Sequence, residues 1–368
     1  MKKILVVAMC AAMCVGIFTG CGKKETTVSD GSSAVAEISA EPEAEPVDLH
    51  PGEARSMLTG EWINEALVQK RPLAVMIGNT KKALPQYGIK NAQIMYEAPV
   101  EGGETRLMGI FGDYSSVEKI ESIRSCRLYY IDWALEFDAF YAHCGQAYLA
   151  KGMLDSGVID DLNALEGKVG NVMYKRDSSR KAPHNLYTDG SMTTEGIQLK
   201  GYRTDYEPSY TSHYKMNEDD EKQITLDQGE DAYVVQPGYL VNKPWFVYNP
   251  EDGQYYRYEY GDKQIDGIDN SQLSCKNIIL QVCEWSIADK EVGYLSVNTM
   301  SGGRGYYVTN GKSIPVTWSK DSQSAPTRYF TEDGTEITVN QGKTWVCIIQ
   351  DTYADKITFY HTMEEFQQ

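Results

Sequence analysis

The chain has 368 residues, 42% of them hydrophobic, and a formal net charge of −17. That charge excludes a general binder of nucleic acid or of anionic lipid, so any anion site must be a local basic pocket. From residue 60 onward there is enough chain for two domains with separate cores.

Residues 1–20 read as a secretory signal. Lys2 and Lys3 form the positive start, an apolar run extends from Ile4 to Phe18, and Thr19-Gly20 precede Cys21. The apolar run falls short of the roughly 20 residues that a membrane span needs. A cysteine directly after Thr-Gly resembles a bacterial lipobox, which implies a lipid on Cys21 that anchors the chain to the membrane. Residues 21–59 are then a tether. They carry Glu25, Asp30, Glu37, Glu41, Glu43, Glu45, Asp48 and Glu53 among small and polar residues, too little apolar surface to fold. A flexible segment of that length reaches roughly 30–35 Å.

Residues 60–215 alternate strand-like and helix-like segments and predict an α/β domain, a mixed sheet with flanking helices. PLAVMIGN (72–79) and QIMYEAP (93–99) are apolar runs of the buried-strand kind, followed by TRLMGIFGDY (105–114) and KIESIR (119–124). RLYYIDWALEF (127–137) has helical spacing, and DAFYAHCG (138–145) returns to a strand. Residues 216–368 predict a β-rich domain. Short strands there are separated by NPEDGQ, TNGK and EDGT, turns of the Asn-Gly and Asp-Gly type.

Strand direction gathers a candidate anion site in the first domain. A hairpin between 93–99 and 105–111 places Glu97, Glu101, Thr105 and Arg106 on one edge. A returning KIESIR brings Arg124 beside Arg106. Ser125 is a good N-cap for the helix near Arg127, and a crossover to a strand parallel to KIESIR brings His143 to the same edge. Asn79 ends the first strand there too. Guanidinium forks at a helix N-terminus suit a phosphate or carboxylate, and Gly102 and Gly103 can adopt positive φ. The competing reading is an internal ion-pair network in which Glu97 and Glu101 neutralise the arginines. A second basic loop, YKRDSSRKAPHNLY (174–187), carries Arg176, Arg180, His184 and Asn185 and either covers the same edge or is solvated.

No HExxH, Walker A, GxSxG or strand-linked GxGxxG motif occurs, so no catalytic residue, metal or cofactor is expected. Cys126 and Cys144 could bridge, but buried free thiols are the default among the five cysteines beyond Cys21.

RPLAVMIGN (71–79), LPQYGIKNAQIMYEAPVEGGETRLMGIF (84–111), IESIRSCRLYYIDWA (120–134), DAFYAHCG and APHNLYT (182–188) resemble the YerB-like lipoproteins of Gram-positive bacteria. GRGYYVTNGKSIPVTW and GTEITVNQGKTWV extend the similarity into the second half. The resemblance implies two domains of unknown function on a lipid-anchored protein, and no activity. A looser similarity, of Thr105-Arg106 and Arg124-Ser125-Cys126-Arg127 to the LytR-CpsA-Psr proteins, implies transfer or hydrolysis at a polyprenyl pyrophosphate. Leu107 and Leu128 stand where that family has aspartates. The leading expectation is an envelope binding or scaffold protein on the extracytoplasmic face of the membrane, with an anionic envelope ligand. The alternatives are the pyrophosphate enzyme and a module that binds an envelope protein through its β-rich half.

Overall fold

The computed structural model describes residues 49–368, so the signal segment, Cys21 and the tether up to residue 48 lie outside the described residues. The tether expected over residues 21–59 does not include residues 53–59, which are folded. Glu53–Arg55 pairs antiparallel with Trp62–Asn64, and Ser56, Leu58 and Thr59 are buried. Leu58 belongs to the hydrophobic core, which holds this stretch against the sheet.

Apolar runs in the first half become strands buried along their whole length: β1 (Leu73–Gly78), β2 (Ile94–Pro99) and β3 (Thr105–Phe111). They are followed by α1 (Leu128–Leu135), β4 (Phe140–His143), α2 (Tyr148–Asp155), β5 (Asp160–Asn163) and α3 (Gly190–Lys200). β3 lies antiparallel between β1 and β2, while β4 and β5 continue the sheet parallel to β1. The carboxyl ends of β1, β2, β4 and β5 therefore meet the amino end of β3 on one edge.

The second half is mostly strands. It contributes β6 (Trp245–Asn249), β7 (Gln254–Glu259), β8 (Asn277–Cys283), β9 (Gly303–Thr309), β10 (Lys312–Ser319) and β11 (Thr344–Gln350). The predicted TNGK turn joins β9 to β10, with Asn310 at φ 49° and Gly311 at φ 76°, the positive values a two-residue hairpin loop requires. The two halves keep their expected characters but not separate cores. β11 is parallel to β8 on one side and to β2 on the other, giving an 11-stranded sheet ordered 230–231, β10, β9, β8, β11, β2, β3, β1, β4, β5, with Arg328–Phe330 as the eleventh strand, paired to the end of β10. One face buries Tyr96, Trp133 and Tyr141 with Ile279 and Val346. The other buries Met95 and Leu107 with Leu280 and Trp345, under a second sheet that includes β6 and β7.

KIESIR is not a member of the large sheet. Ile120–Glu121 pairs with Leu186–Thr188 in a three-stranded sheet. Residues 122–124 then run antiparallel to the end of β1, with Gly78 N donating to Ser122 O and Arg124 N to Met76 O, both at 2.9 Å. β1 already has β3 and β4 as neighbours, and β4 pairs only as far as Val75. Only the last residues of β1 remain free to accept another segment.

Candidate anion site at the carboxyl edge of the sheet

Arg106 sits opposite Gly78 on one side and Ala98 on the other, so its side chain starts from the most buried part of the edge. It is 7% exposed. Nη1 donates to Ser125 O at 2.6 Å, and among the described residues no carboxylate pairs with it. Burial lowers its pKa to about 10, with the charges of Arg127 and Arg124 adding to the effect and Glu101 opposing it. Arg124 is half-buried, and its Nη1 donates to Pro183 O at 3.1 Å. It too has no carboxylate partner among the described residues, and burial lowers its pKa.

Arg127 has a different fate. Its Nε and Nη2 fork onto the two oxygens of Glu101, Nη2–Oε2 at 2.7 Å, and its guanidinium lies 5.3 Å from the Tyr294 ring. Burial would lower its pKa, but the Glu101 contacts outweigh that and raise it. The predicted neutralisation of an arginine by Glu101 therefore exists, at Arg127 alone.

Ser125 is not the N-cap of α1. The cap position is Arg127, with no side-chain capping bond. Cys126 N donates to Gly145 O at 2.9 Å and Cys126 O accepts from Ala147 N at 3.1 Å, so the chain stays extended for two residues beyond Ser125 before the helix begins.

Glu97 and Asn79 turn to another partner. Glu97 is completely buried and accepts from Thr105 Oγ1 and Asn242 Nδ2, each at 2.8 Å, from Arg257 Nη2 at 2.7 Å and from Trp345 Nε1 at 3.3 Å. Asn79 Nδ2 donates to Thr105 Oγ1 at 2.9 Å and to Glu259 Oε2 at 3.0 Å. Arg257 and Glu259 escaped the sequence reading. Their signal was available in QYYRYE, where alternation puts both charges on the face of β7 that Tyr255 buries. A charge on a strand's inward face needs a buried partner, and Glu97 is that partner.

His143 is fully buried at the same edge but faces β5. Nδ1 lies 2.8 Å from Gly145 O and Nε2 lies 2.6 Å from Asp161 Oδ1. Neither nitrogen is turned to Arg106 or Arg124.

The basic loop does close over this edge. Arg180 ties it down, donating to Ala83 O at 2.8 Å, to Pro85 O at 3.1 Å and to Glu121 Oε1 at 3.3 Å. Arg176 Nη1 donates to Asn185 Oδ1 at 2.9 Å, and Asn185 Nδ2 to Asp177 O at 2.9 Å. His184 follows Pro183, whose carbonyl holds Arg124. Its Nδ1 is buried without a hydrogen-bond partner among the described residues, and burial, then Arg124, Arg180 and Lys82, lower its pKa. Cys126, Cys144, Cys275, Cys283 and Cys347 are free thiols. Among the described residues no group of three His, Cys, Asp or Glu side chains is placed to hold a metal.

Residues 58–203 match the N-terminal domain, and residues 234–346 the C-terminal domain, of a protein of unknown function (DUF3048). The chain is 28% identical over 319 residues to YerB of Bacillus subtilis strain 168, whose name calls it a lipoprotein, covering 84% of this chain and 92% of that one. It superposes on the crystal structure of YerB from Bacillus subtilis with a TM-score of 0.73 and 26% identity, covering 83% of this chain and 99% of the solved one.

Proposed function

We propose that this chain, which belongs to the YerB-like family of lipoproteins with paired N- and C-terminal domains of unknown function, is an anion-binding protein of the cell envelope. It is held on the extracytoplasmic face of the membrane by a lipid on Cys21. The observation that carries the reading is the pair Arg106 and Arg124. In a chain of net charge −17, two guanidiniums, Arg124 close enough to disfavour the charge of Arg106, stand at one sheet edge with carbonyl oxygens as partners.

A desolvated charge without a counter-charge is costly. An oxyanion placed between the two arginines would offset that cost and gain charge-assisted bonds of about 1.5–3 kcal/mol each. Open sheets of this kind bind ligands outside the carboxyl ends of their parallel strands, which supports the same edge. Arg127 shapes the site through Glu101, and His184 lies beside Arg124.

Thermal melts with and without sodium sulfate or pyrophosphate test the proposal. Stabilisation of the parent protein by the anion is expected. Arg124→Ala should weaken binding about tenfold or more, since the loss of one such bond exceeds roughly 1.4 kcal/mol, while the variant melts near the parent temperature. No anion-dependent stabilisation of the parent, together with a large loss of stability in Arg124→Ala, would show that the arginines are structural.

A further inference from the structure

At the opposite end of the same sheet, where β1, β4 and β5 begin, the surface folds into a cleft of about 510 Å³. That volume lies in the range of small-molecule sites. Five charged side chains form one wall and are already paired among themselves. Arg71 Nη1 lies 2.6 Å from Asp160 Oδ2 and its Nη2 lies 3.2 Å from Asp138 Oδ1. Arg203 Nη2 lies 2.8 Å from Asp138 Oδ2, and its Nε lies 2.9 Å from Glu207 Oε1. Arg71 is nearly buried, whereas Asp138, Asp160 and Glu207 keep part of their side chains exposed.

An ion entering this cleft would have to break a pair to be held. A neutral ligand with hydroxyl groups would not. The paired carboxylates retain lone pairs that accept from hydroxyls, and the planar guanidinium of Arg203, whose Nη1 also donates to Asp205 O, keeps one further Nη1 N–H in a fixed orientation. Tyr210 supplies an apolar surface in the same cleft. Its ring is clamped flat on Tyr206 at 4.1 Å and an interplanar angle of 3°, so it loses little freedom when a ligand packs on it. The floor includes Glu136, which accepts from Thr327 N at 3.0 Å and Thr327 Oγ1 at 2.9 Å. Behind it His213 is completely buried, with Nε2 3.5 Å from Glu136 Oε2 and Nδ1 without a hydrogen-bond partner among the described residues.

We propose that this cleft is a saccharide site, distinct from the arginine edge, in which paired charges serve as a rigid array of hydrogen-bonding groups for sugar hydroxyls and Tyr210 packs against a sugar face. Isothermal titration calorimetry of the full chain with N-acetylated chitotriose and with maltotriose tests it, with sodium sulfate as an ionic comparison. Saturable binding of at least one sugar is expected. Arg203→Ala and Tyr210→Ala should each weaken it tenfold or more, while Arg124→Ala leaves it unchanged and so separates this site from the anion site. Glu207→Gln, which keeps an acceptor but removes a charge, should retain binding within a few-fold. The proposal is overturned by the absence of saturable heat with both sugars, by binding that survives both the Arg203 and the Tyr210 substitutions, or by loss of binding in Glu207→Gln.

Discussion

Three arginines within one short stretch of surface show how far partners, and not residue type, decide the chemistry of a side chain. Arg127 has Glu101 in a forked ion pair, and among the described residues Arg106 and Arg124 have only carbonyl oxygens. Burial pushes the Glu101 carboxyl up, but the hydrogen bonds and charge of Arg127 outweigh it, and its pKa ends below the ordinary 4.5. The pair therefore stabilises the fold above the unfolded-state value and loses that contribution as pH falls through the lowered folded-state value. Arg127→Ala should lower the melting temperature by a few degrees near neutral pH, consistent with about 1 kcal/mol, the low end of the cost of stranding a partner, since Glu101 is half-buried. The difference between variant and parent should shrink in acid, and differential scanning calorimetry across pH would show it. The loop that carries Glu101 depends on Gly102 at φ 73°, with open space where a Cβ would stand. Gly102→Ala should cost only the roughly 1–2 kcal/mol of a left-handed L-residue, visible as a shifted denaturant midpoint. Gly88→Ala should cost far more, since its Cβ would fall 1.8 Å from Lys119 O.

At the scale of elements, β7 holds the largest surprise. Its alternation is regular, but the inward face carries Tyr255, Arg257 and Glu259. Burial raises the Glu259 carboxyl to about 7, with Arg257 opposing and the charge of Glu97 adding. The folded chain thus holds a proton that the unfolded chain releases near 4.5, so stability falls as pH rises from about 4.5 through about 7 and then levels off. Glu259→Gln should flatten that slope, because the amide has no proton to lose. Chemical denaturation across this window distinguishes the outcomes: an unchanged slope in the variant would mean that another group titrates there.

At the scale of the whole molecule, the two sequence domains form one compact unit between residues 49 and 368. β2 and β11 join them through the pairs Ile94–Thr344, Met95–Trp345, Tyr96–Val346 and Glu97–Cys347, all eight residues buried. The Arg257–Glu97 ion pair, 2.7 Å long and fully enclosed, crosses the same junction. Separating the halves would expose an apolar strand edge on each and leave a buried charge unpaired on both sides. A single calorimetric transition is therefore expected for residues 49–368, and two resolved transitions would contradict the shared sheet. Cutting the 217–231 connection at the gene level should leave neither fragment with a cooperative melt, whereas co-expressed fragments should recover one.

The sequence by itself determined the elements whose information is local. Full burial of PLAVMIGN and QIMYEAP follows from unbroken apolar runs, the β9–β10 turn from Asn310-Gly311, and the hairpin that puts Arg106 beside Glu97 and Glu101 from chain direction alone. It also marked the loop of 174–187 as a place where positive charge gathers in an acidic chain. What only the tertiary structure decided is pairing at long separation. Nothing in the local pattern says that β11 joins β2, because an apolar strand pairs equally well with any apolar edge of matching length. Nothing near Glu97 announces Arg257, which lies 160 residues away in sequence. That one contact removes Glu97 from the proposed anion site, Asp161 removes His143 in the same way, and Arg106 and Arg124 are left as the pair without a carboxylate among the described residues. Charges in a protein are assigned to each other by proximity in a low-dielectric interior, where interaction falls off with distance in space and takes no account of distance along the chain.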